Sequence, residues 1–219
     1  MTEPDVTLTD YGLAIECAIF VWMIRRRASG DCRRAAWMIL FFVSVAVASL
    51  TAGTMHGFFH DPAGAVHAVL WPISLLAIGL TALSGWVIGA RMILNPTLAR
   101  RVGYAALAQF VVYAGVVLFL NDAFRVAIVG YLPAALFLLI AFVLTGRRTG
   151  GARTASIGAW GLALSLAAAG LQHFRIALHP VYFNHNAVYH VVQAIALYFI
   201  FLGLSGLLHP SERLHADAT

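Results

Sequence analysis

The sequence predicts an all-α integral membrane protein, built as a bundle of seven transmembrane helices. Of its 219 residues, 61% are apolar and only 11% are charged, and the mean hydropathy is +0.85. A soluble domain carries about 25% charged residues, so this chain requires a bilayer as its solvent. At roughly 30 residues for each span with its loop, the length accommodates seven helices.

Seven apolar runs account for these helices in chain order. They comprise residues 8–23, 35–59, 65–94, 102–120, 123–144, 156–178 and 186–208. Each run is long enough to cross about 30 Å of hydrocarbon, the first only just. Arginines follow the first run, and the acids Glu3, Asp5 and Asp10 lie before it or at its start, which is the reverse of a signal peptide. We therefore expect one seven-helix domain over residues 1–208 and a short cytoplasmic tail over 209–219.

Arginine counts predict the orientation of the bundle. Twelve of the 14 arginines lie in the tail and in the loops that follow the first, third and fifth runs. The opposite side has only Arg125 and Arg175. Positive charge remains in the cytoplasm, so the N-terminus is expected outside and the C-terminus inside. The expected location is the inner membrane of a bacterial cell, with several passes; oligomeric state and physiological role are not indicated.

Composition also excludes two classes of protein. All basic residues other than histidine are arginine, and a retinal Schiff base needs a lysine amine, so an opsin-like photoreceptor is excluded. The net charge of +5 does not indicate nucleic-acid binding, because the arginines cluster at helix ends.

Histidines concentrate on the side opposite the arginines. Seven of the nine map to the outer ends of helices two, three, six and seven, namely His56, His60, His67, His173, His179, His185 and His190. His56 and His60 are four residues apart on helix two, so their rings are neighbours on one face. This is the spacing that allows two imidazoles to bind one metal ion.

A second polar pattern begins helix seven. Asn186, His190 and Gln193 form one stripe at helical spacing on an otherwise apolar segment. Because unpaired polar groups are costly in lipid, the stripe is expected to face the bundle interior. His185 precedes the helix and can turn toward the same site, whereas Asn184 or Asn186 alternatively caps the helix.

Three further residues are candidates near the histidines. Glu16 lies inside helix one, where a carboxylate needs a partner or a proton. Asp61 follows His60 and either orients a metal-bound imidazole or activates water; alternatively it is a loop acid. His67 begins helix three and can complete the cluster.

Zinc is the metal that these ligands favour for catalysis. Imidazoles with nearby carboxylates suit zinc, copper, iron or nickel. Zinc with three protein ligands and one open position makes hydroxide available at neutral pH. Because the outer leaflet delivers amphiphiles sideways between helices, the predicted reaction is hydrolysis of a lipid amide or ester.

Two segments resemble a known family, SLTAGTMHGFFHDP (49–62) and FNHNAVYHVVQ (183–193). With the seven-helix layout, they resemble the CREST superfamily of membrane hydrolases, which includes alkaline ceramidases and adiponectin-receptor-like proteins. The resemblance implies that His56 and His190 are zinc ligands and that the activity is ceramidase-like. The family's first helix-seven histidine corresponds to Asn186 here, with His185 one residue earlier.

The resemblance also bears on the catalytic residues. The family's serine in helix two corresponds to Ala52, so the available hydroxyls are Thr54 and, two turns away, Ser49. Asp61 is the one counterpart of the acid near helix three.

The leading hypothesis is therefore a zinc-dependent lipid hydrolase. His56, His190 and either His185 or His60 would hold the metal, and Asp61 would help to activate water. Two alternatives remain open: a haem-binding electron-transfer protein with two histidines as axial ligands, and a non-catalytic lipid receptor with a structural metal.

Overall fold

The computed structural model describes residues 1–27, 32–148, 153–179 and 182–206, and within them it forms seven helices. They are α1 (Pro4–Arg27), α2 (Cys32–Phe58), α3 (Ala65–Ile93), α4 (Pro96–Phe119), α5 (Phe124–Arg148), α6 (Arg153–His173) and α7 (His185–Ser205). All seven are long and apolar enough to cross a membrane, which indicates a multi-pass membrane protein. The prediction of seven helices is confirmed, and the predicted tail at 209–219 lies outside the described residues.

Most helix ends differ from the apolar runs by a few residues, and the starts of α1 and α4 and the end of α6 have clear physical reasons. Helix α1 begins at Pro4, since proline is well tolerated at the first helical position. Helix α4 begins at Pro96, where the Asn95 side chain accepts a hydrogen bond from the Leu98 amide at 2.9 Å. Polar residues at these two starts lowered the local hydropathy and hid the first turns of each helix.

Helix α6 is shorter than the sixth apolar run, which extended to residue 178. It ends at His173, and Arg175 adopts a positive φ of 53° that no α-helix continues. The chain then pairs His179 with Phe183 through two backbone hydrogen bonds. Apolar residues in this connection kept the hydropathy high beyond the true end of the helix.

Six of the helices close into a ring, in the spatial order α1, α2, α3, α5, α6 and α7, with α7 returning to α1. Helix α4 packs mainly on the outside of α3. Consecutive helices run antiparallel, so α1, α3, α5 and α7 begin at the end of the bundle where α2, α4 and α6 finish. We call this the histidine end, and the opposite end, where α2 begins, the arginine end.

The apolar core lies nearer the arginine end. Phe20 of α1 stacks on Phe201 of α7 with ring centroids 4.4 Å apart, and Phe42 of α2 meets Phe20 edge-on at 5.3 Å. Met38 and Phe142 extend this cluster without exposure to solvent. Aromatic packing thus joins α1, α2 and α7 below the histidine end, which is left for polar side chains.

Helices α6 and α7 approach each other closely through glycines. A Cβ atom at Gly161 would lie 2.7 Å from the Ile200 amide nitrogen and 2.8 Å from the Ala196 carbonyl oxygen. One at Gly203 would lie 2.6 Å from the Gly158 Cα atom. Small residues allow backbone contact of this kind between membrane helices, where dispersion drives association.

We predict that Gly161→Ala destabilises the bundle by about 1–3 kcal/mol, the usual cost of an overpacked core. The matched control is Gly170→Ala on the same helix, because a Cβ there meets nothing within 4 Å. Thermal unfolding in detergent should show a lower midpoint for Gly161→Ala and an unchanged or higher midpoint for Gly170→Ala. Equal midpoints would contradict the close contact.

Candidate functional site

Helix α1 carries acidic residues to the histidine end on its buried face. This face repeats at intervals of three and four residues, through Val6, Thr7, Asp10, Leu13, Cys17, Phe20 and Ile24. Asp10 lies on it and is only 2% exposed. Because the helix begins at Pro4, Glu3 lies immediately before its first turn and Asp5 lies within that turn.

Two glycines of α2 allow α1 to come this close. A Cβ at Gly53 would lie 2.8 Å from the Asp10 Cβ, and one at Gly57 would lie 2.9 Å from the Thr7 Oγ1. The Thr2 amide also donates to the Gly57 carbonyl oxygen at 3.1 Å. The start of α1 is thereby fixed against the last turn of α2, which carries His56.

Glu3, His56 and His60 form a metal-type group at this junction. The Oε2 atom of Glu3 lies 2.5 Å from the His56 Nδ1 atom. One ligand atom from each of the three residues lies within 4.8 Å of the other two. Glu3 and His56 are half-buried, and His60 is exposed just beyond the end of α2. Two imidazoles and one carboxylate are a ligand set found at catalytic zinc sites.

His190 of α7 faces α1 rather than joining this group. Its Nδ1 atom lies 3.1 Å from the Thr9 Oγ1 atom, and its Nε2 atom lies 3.4 Å from Asp10 Oδ1. Both contacts lie inside the bundle, since His190 is only 8% exposed. His56 is in the last turn of α2 and His190 is in the second turn of α7, so both sets of residues lie at the histidine end.

Thr9 links His190 to the backbone of α1. The Thr9 hydroxyl donates to the carbonyl oxygens of Asp5 and Val6, at 2.9 and 3.0 Å. The same hydroxyl either accepts from His190 Nδ1 or donates to it, according to the tautomer of the ring. On its other side, His190 Nε2 lies 3.4 Å from Asp10 Oδ1, near enough for a proton to pass between the ring and the carboxyl group.

The other carboxyl oxygen of Asp10, Oδ2, is buried. None of the residues that the structure describes gives it a hydrogen bond. An intramembrane acid held in this way is expensive to maintain, which marks it as a candidate for function.

Asparagine and glutamine fix the start of α7. Asn184 caps the helix, and its side-chain oxygen accepts from the amides of Asn186 and Ala187 at 2.9 and 3.2 Å. The backbone amide of Asn184 donates to Asp5 Oδ2 at 3.0 Å. The Asn186 side chain instead accepts from Gln172 of α6 at 3.1 Å. These bonds tie α7 to both of its neighbours at the histidine end.

Gln193 lies one turn deeper than His190 on the same stripe. Its side-chain oxygen accepts from the Ser165 hydroxyl of α6 at 2.8 Å, and both residues are buried. The stripe of Asn186, His190 and Gln193 therefore contacts α1 and α6 inside the bundle.

The hydroxyls and the acid suggested for catalysis lie in α2 and in the turn that precedes α3. Asp61 is exposed, and its Oδ1 accepts from the Ala63 amide at 3.0 Å in the turn before α3. Thr54 donates to the Leu50 carbonyl oxygen and lies 3.1 Å from the Tyr11 hydroxyl. Ser49 is buried within α2. The contacts described for these three residues do not include Glu3, His56 or His60.

The remaining sequence candidates are also separate from that group. The ring of His67 stacks on Trp71 with centroids 6.0 Å apart. His185 is the half-buried first residue of α7. The Oε2 atom of Glu16 is buried in the bundle, and none of the described residues gives it a hydrogen bond.

Sequence reasoning missed Glu3, Thr9 and Asp10 as site residues. A usable signal existed, because Asp10 and Cys17 are seven residues apart and share one helical face, and Glu3 precedes Asp10 by the same interval. The first apolar run was taken to begin at residue 8, so the acids before it and at its start were interpreted as the flank of a span rather than as part of a site.

A helical bundle with seven membrane-type spans and a polar, histidine-rich end defines the class of this protein. More particularly, the chain belongs to the DUF6962 family, a family of unknown function whose model matches residues 6–209. No curated protein matches the chain.

We predict that Asn184→Ala lowers the free energy of unfolding by about 1 kcal/mol, the usual cost of removing an N-cap. Asn184→Ser is the matched control, since serine retains a capping oxygen. Hydrogen exchange should rise at the first turn of α7 in the alanine variant alone. Equal exchange in both variants would show that the cap does not hold this turn.

Proposed function

We propose that this protein is a zinc-dependent membrane hydrolase that cleaves a lipid amide or ester. The observation that carries the proposal is the group of Glu3, His56 and His60 at one end of a membrane-type bundle. The likeness to the CREST hydrolases supports the same chemistry, because it too places a histidine late in helix two at the metal.

The three residues fit a zinc ion in donor type and in spacing. Two ligands of one tetrahedral zinc lie about 3.3 Å apart, given bonds of about 2.0–2.1 Å. Ligand atoms within 4.8 Å of one another need only small side-chain rotations to reach that separation. His60 is exposed beyond the end of α2 and can make such a movement freely. Bound zinc would supply a nucleophilic hydroxide at neutral pH.

This ligand set revises the hypothesis from sequence in one respect. His190, expected there as a ligand, has partners at both ring nitrogens, and a metal would have to displace Thr9 or Asp10. We therefore assign His190 and Asp10 to proton transfer and Glu3, His56 and His60 to the metal. His185 is not needed in either set.

The 3.4 Å contact between His190 and Asp10 gives this pair a chemical role in the proposal, because a proton can pass between the two groups. Hydrolysis breaks the bond between the acyl carbon and the leaving nitrogen or oxygen, which must gain a proton. Water supplies a hydroxyl group to the acyl carbon, and its second proton restores the pair. Thr9 holds the His190 ring in position for this transfer.

Metal analysis of the purified protein in detergent tests the ligand set. We expect about one zinc per chain in the wild type, and at least a tenfold loss in His56→Ala and in His60→Ala, since removal of a direct ligand leaves an incomplete site. His67→Ala is the matched control and should retain zinc, because this ring stacks on Trp71. His190→Ala should retain zinc as well.

Other outcomes separate the alternatives. Loss of zinc in His190→Ala but not in His60→Ala would restore the ligand set expected from sequence. Iron with a Soret band would favour the haem protein. Stoichiometric zinc without release of product from labelled N-acyl and O-acyl lipids would favour the receptor with a structural metal. A wild-type chain without metal would refute the metal centre.

We further propose that the histidine end faces the cell exterior, on the basis of the arginine distribution. Cys32 provides a native probe, because it is exposed at the arginine end while Cys17 is buried. A membrane-impermeant maleimide should label inverted membrane vesicles and leave intact cells unlabelled. Cys32→Ser should abolish the signal, and labelling of intact cells would reverse the assigned orientation.

A further inference from the structure

A groove of about 480 Å³ lies between α5 and α6, far from the candidate metal group. Its volume falls in the range of small-molecule sites in proteins. Apolar side chains make most of its wall, among them Phe142, Val143, Ala159 and Trp160. Arg147 and Ser156 lie at its rim, where α5 ends and α6 begins.

The position of the charge gives the groove an amphiphilic shape. Leu139, also in the wall, precedes Arg147 by eight residues on α5 and lies about 12 Å deeper along the helix. Ala163 follows Ser156 by seven residues on α6, about 10 Å deeper. The groove therefore extends from a cationic rim at the arginine end into an apolar region about two turns long.

The packing of α6 explains why the groove exists. Glycines draw α6 against the backbone of α7, and its contact with α5 is much less extensive. Near the rim the two helices meet through small residues, since a Cβ at Gly146 would lie 3.5 Å from the Ala155 Cβ. The space between them is left open along the membrane-facing side.

The charges around the rim have one sign. Neither α5 nor α6 contains an aspartate or a glutamate. Arg147 is exposed, and the neighbouring Arg148 is turned away to donate to the Ile93 carbonyl oxygen at 2.9 Å. An anionic group at this rim meets attraction from Arg147 and a hydroxyl donor on Ser156, with no carboxylate on either helix to oppose it.

We propose that this groove binds one anionic glycerophospholipid, with its phosphate at Arg147 and an acyl chain along the apolar wall. The occupant is a lipid of the bilayer itself, because the groove opens sideways into the region that acyl chains occupy. Its anionic character follows from charge complementarity with the rim. The site is independent of the metal group and of the proposed hydrolysis.

Native mass spectrometry of the full chain, released from detergent micelles, tests this proposal. The probes are dioleoyl-phosphatidylglycerol and dioleoyl-phosphatidylcholine, added in equal amounts. We expect one phosphatidylglycerol to be retained in preference by about fivefold, the contribution of one arginine near an anionic membrane surface. Arg147→Gln should remove that preference.

Two further variants make the result specific to the groove. Arg101→Gln on α4 removes an exposed arginine at the same end of the bundle and should bind like the wild type. Ala163→Phe keeps Arg147 but fills the groove, and it should lose the bound lipid. Equal retention of both lipids by the wild type would overturn the proposal. So would equal binding in Arg147→Gln and Arg101→Gln, or full binding in Ala163→Phe.

Discussion

The contact between Asp10 and His190 is the interaction on which the histidine end depends. A carboxyl group buried in a membrane bundle is costly unless a partner or a proton accompanies it. Asp10 meets that requirement only when α1 lies beside α7, with Nε2 of His190 at 3.4 Å. The same arrangement closes the ring of six helices, because it joins the first helix of the chain to the last. The packing that closes the bundle therefore also brings the residues of the candidate site together.

The two ends of the bundle differ in the side chains that α1, α2 and α7 bring together. Stacked and edge-on rings of Phe20, Phe42 and Phe201 fix α1, α2 and α7 near the arginine end. At the histidine end these three helices present carboxylates, imidazoles and a threonine instead. Rigid packing about three to four turns away along these helices allows such groups to be held at defined distances, as acid–base and metal sites require.

Sequence was sufficient for the helices and for part of the site. Long apolar runs identify spans directly, and the spacing of His56 and His60 indicates one helical face without knowledge of the fold. The partners of His190 could not be predicted from the sequence, because Thr9 is 181 residues away along the chain. The two residues come together only when α7 packs against α1. Glu3 was missed because polar residues reduce the hydropathy by which a span is recognised, and Asp10 was missed because it was grouped with the acids that flank the first span. The end of α6 was misplaced because exposed apolar residues continue past Arg175.

The glycine contact between α6 and α7 has a mechanical consequence. These two helices form one stiff plate, while α1, α2, α3 and α5 form a second through their own extensive contacts. The plates meet along two thinner seams, α5 with α6 and α7 with α1. Rigid-body tilting is a common form of movement between such units, and here it would change both seams at once. One seam contains the groove beside Arg147 and the other contains Asp10 and His190, so a tilt would alter the packing around both of them.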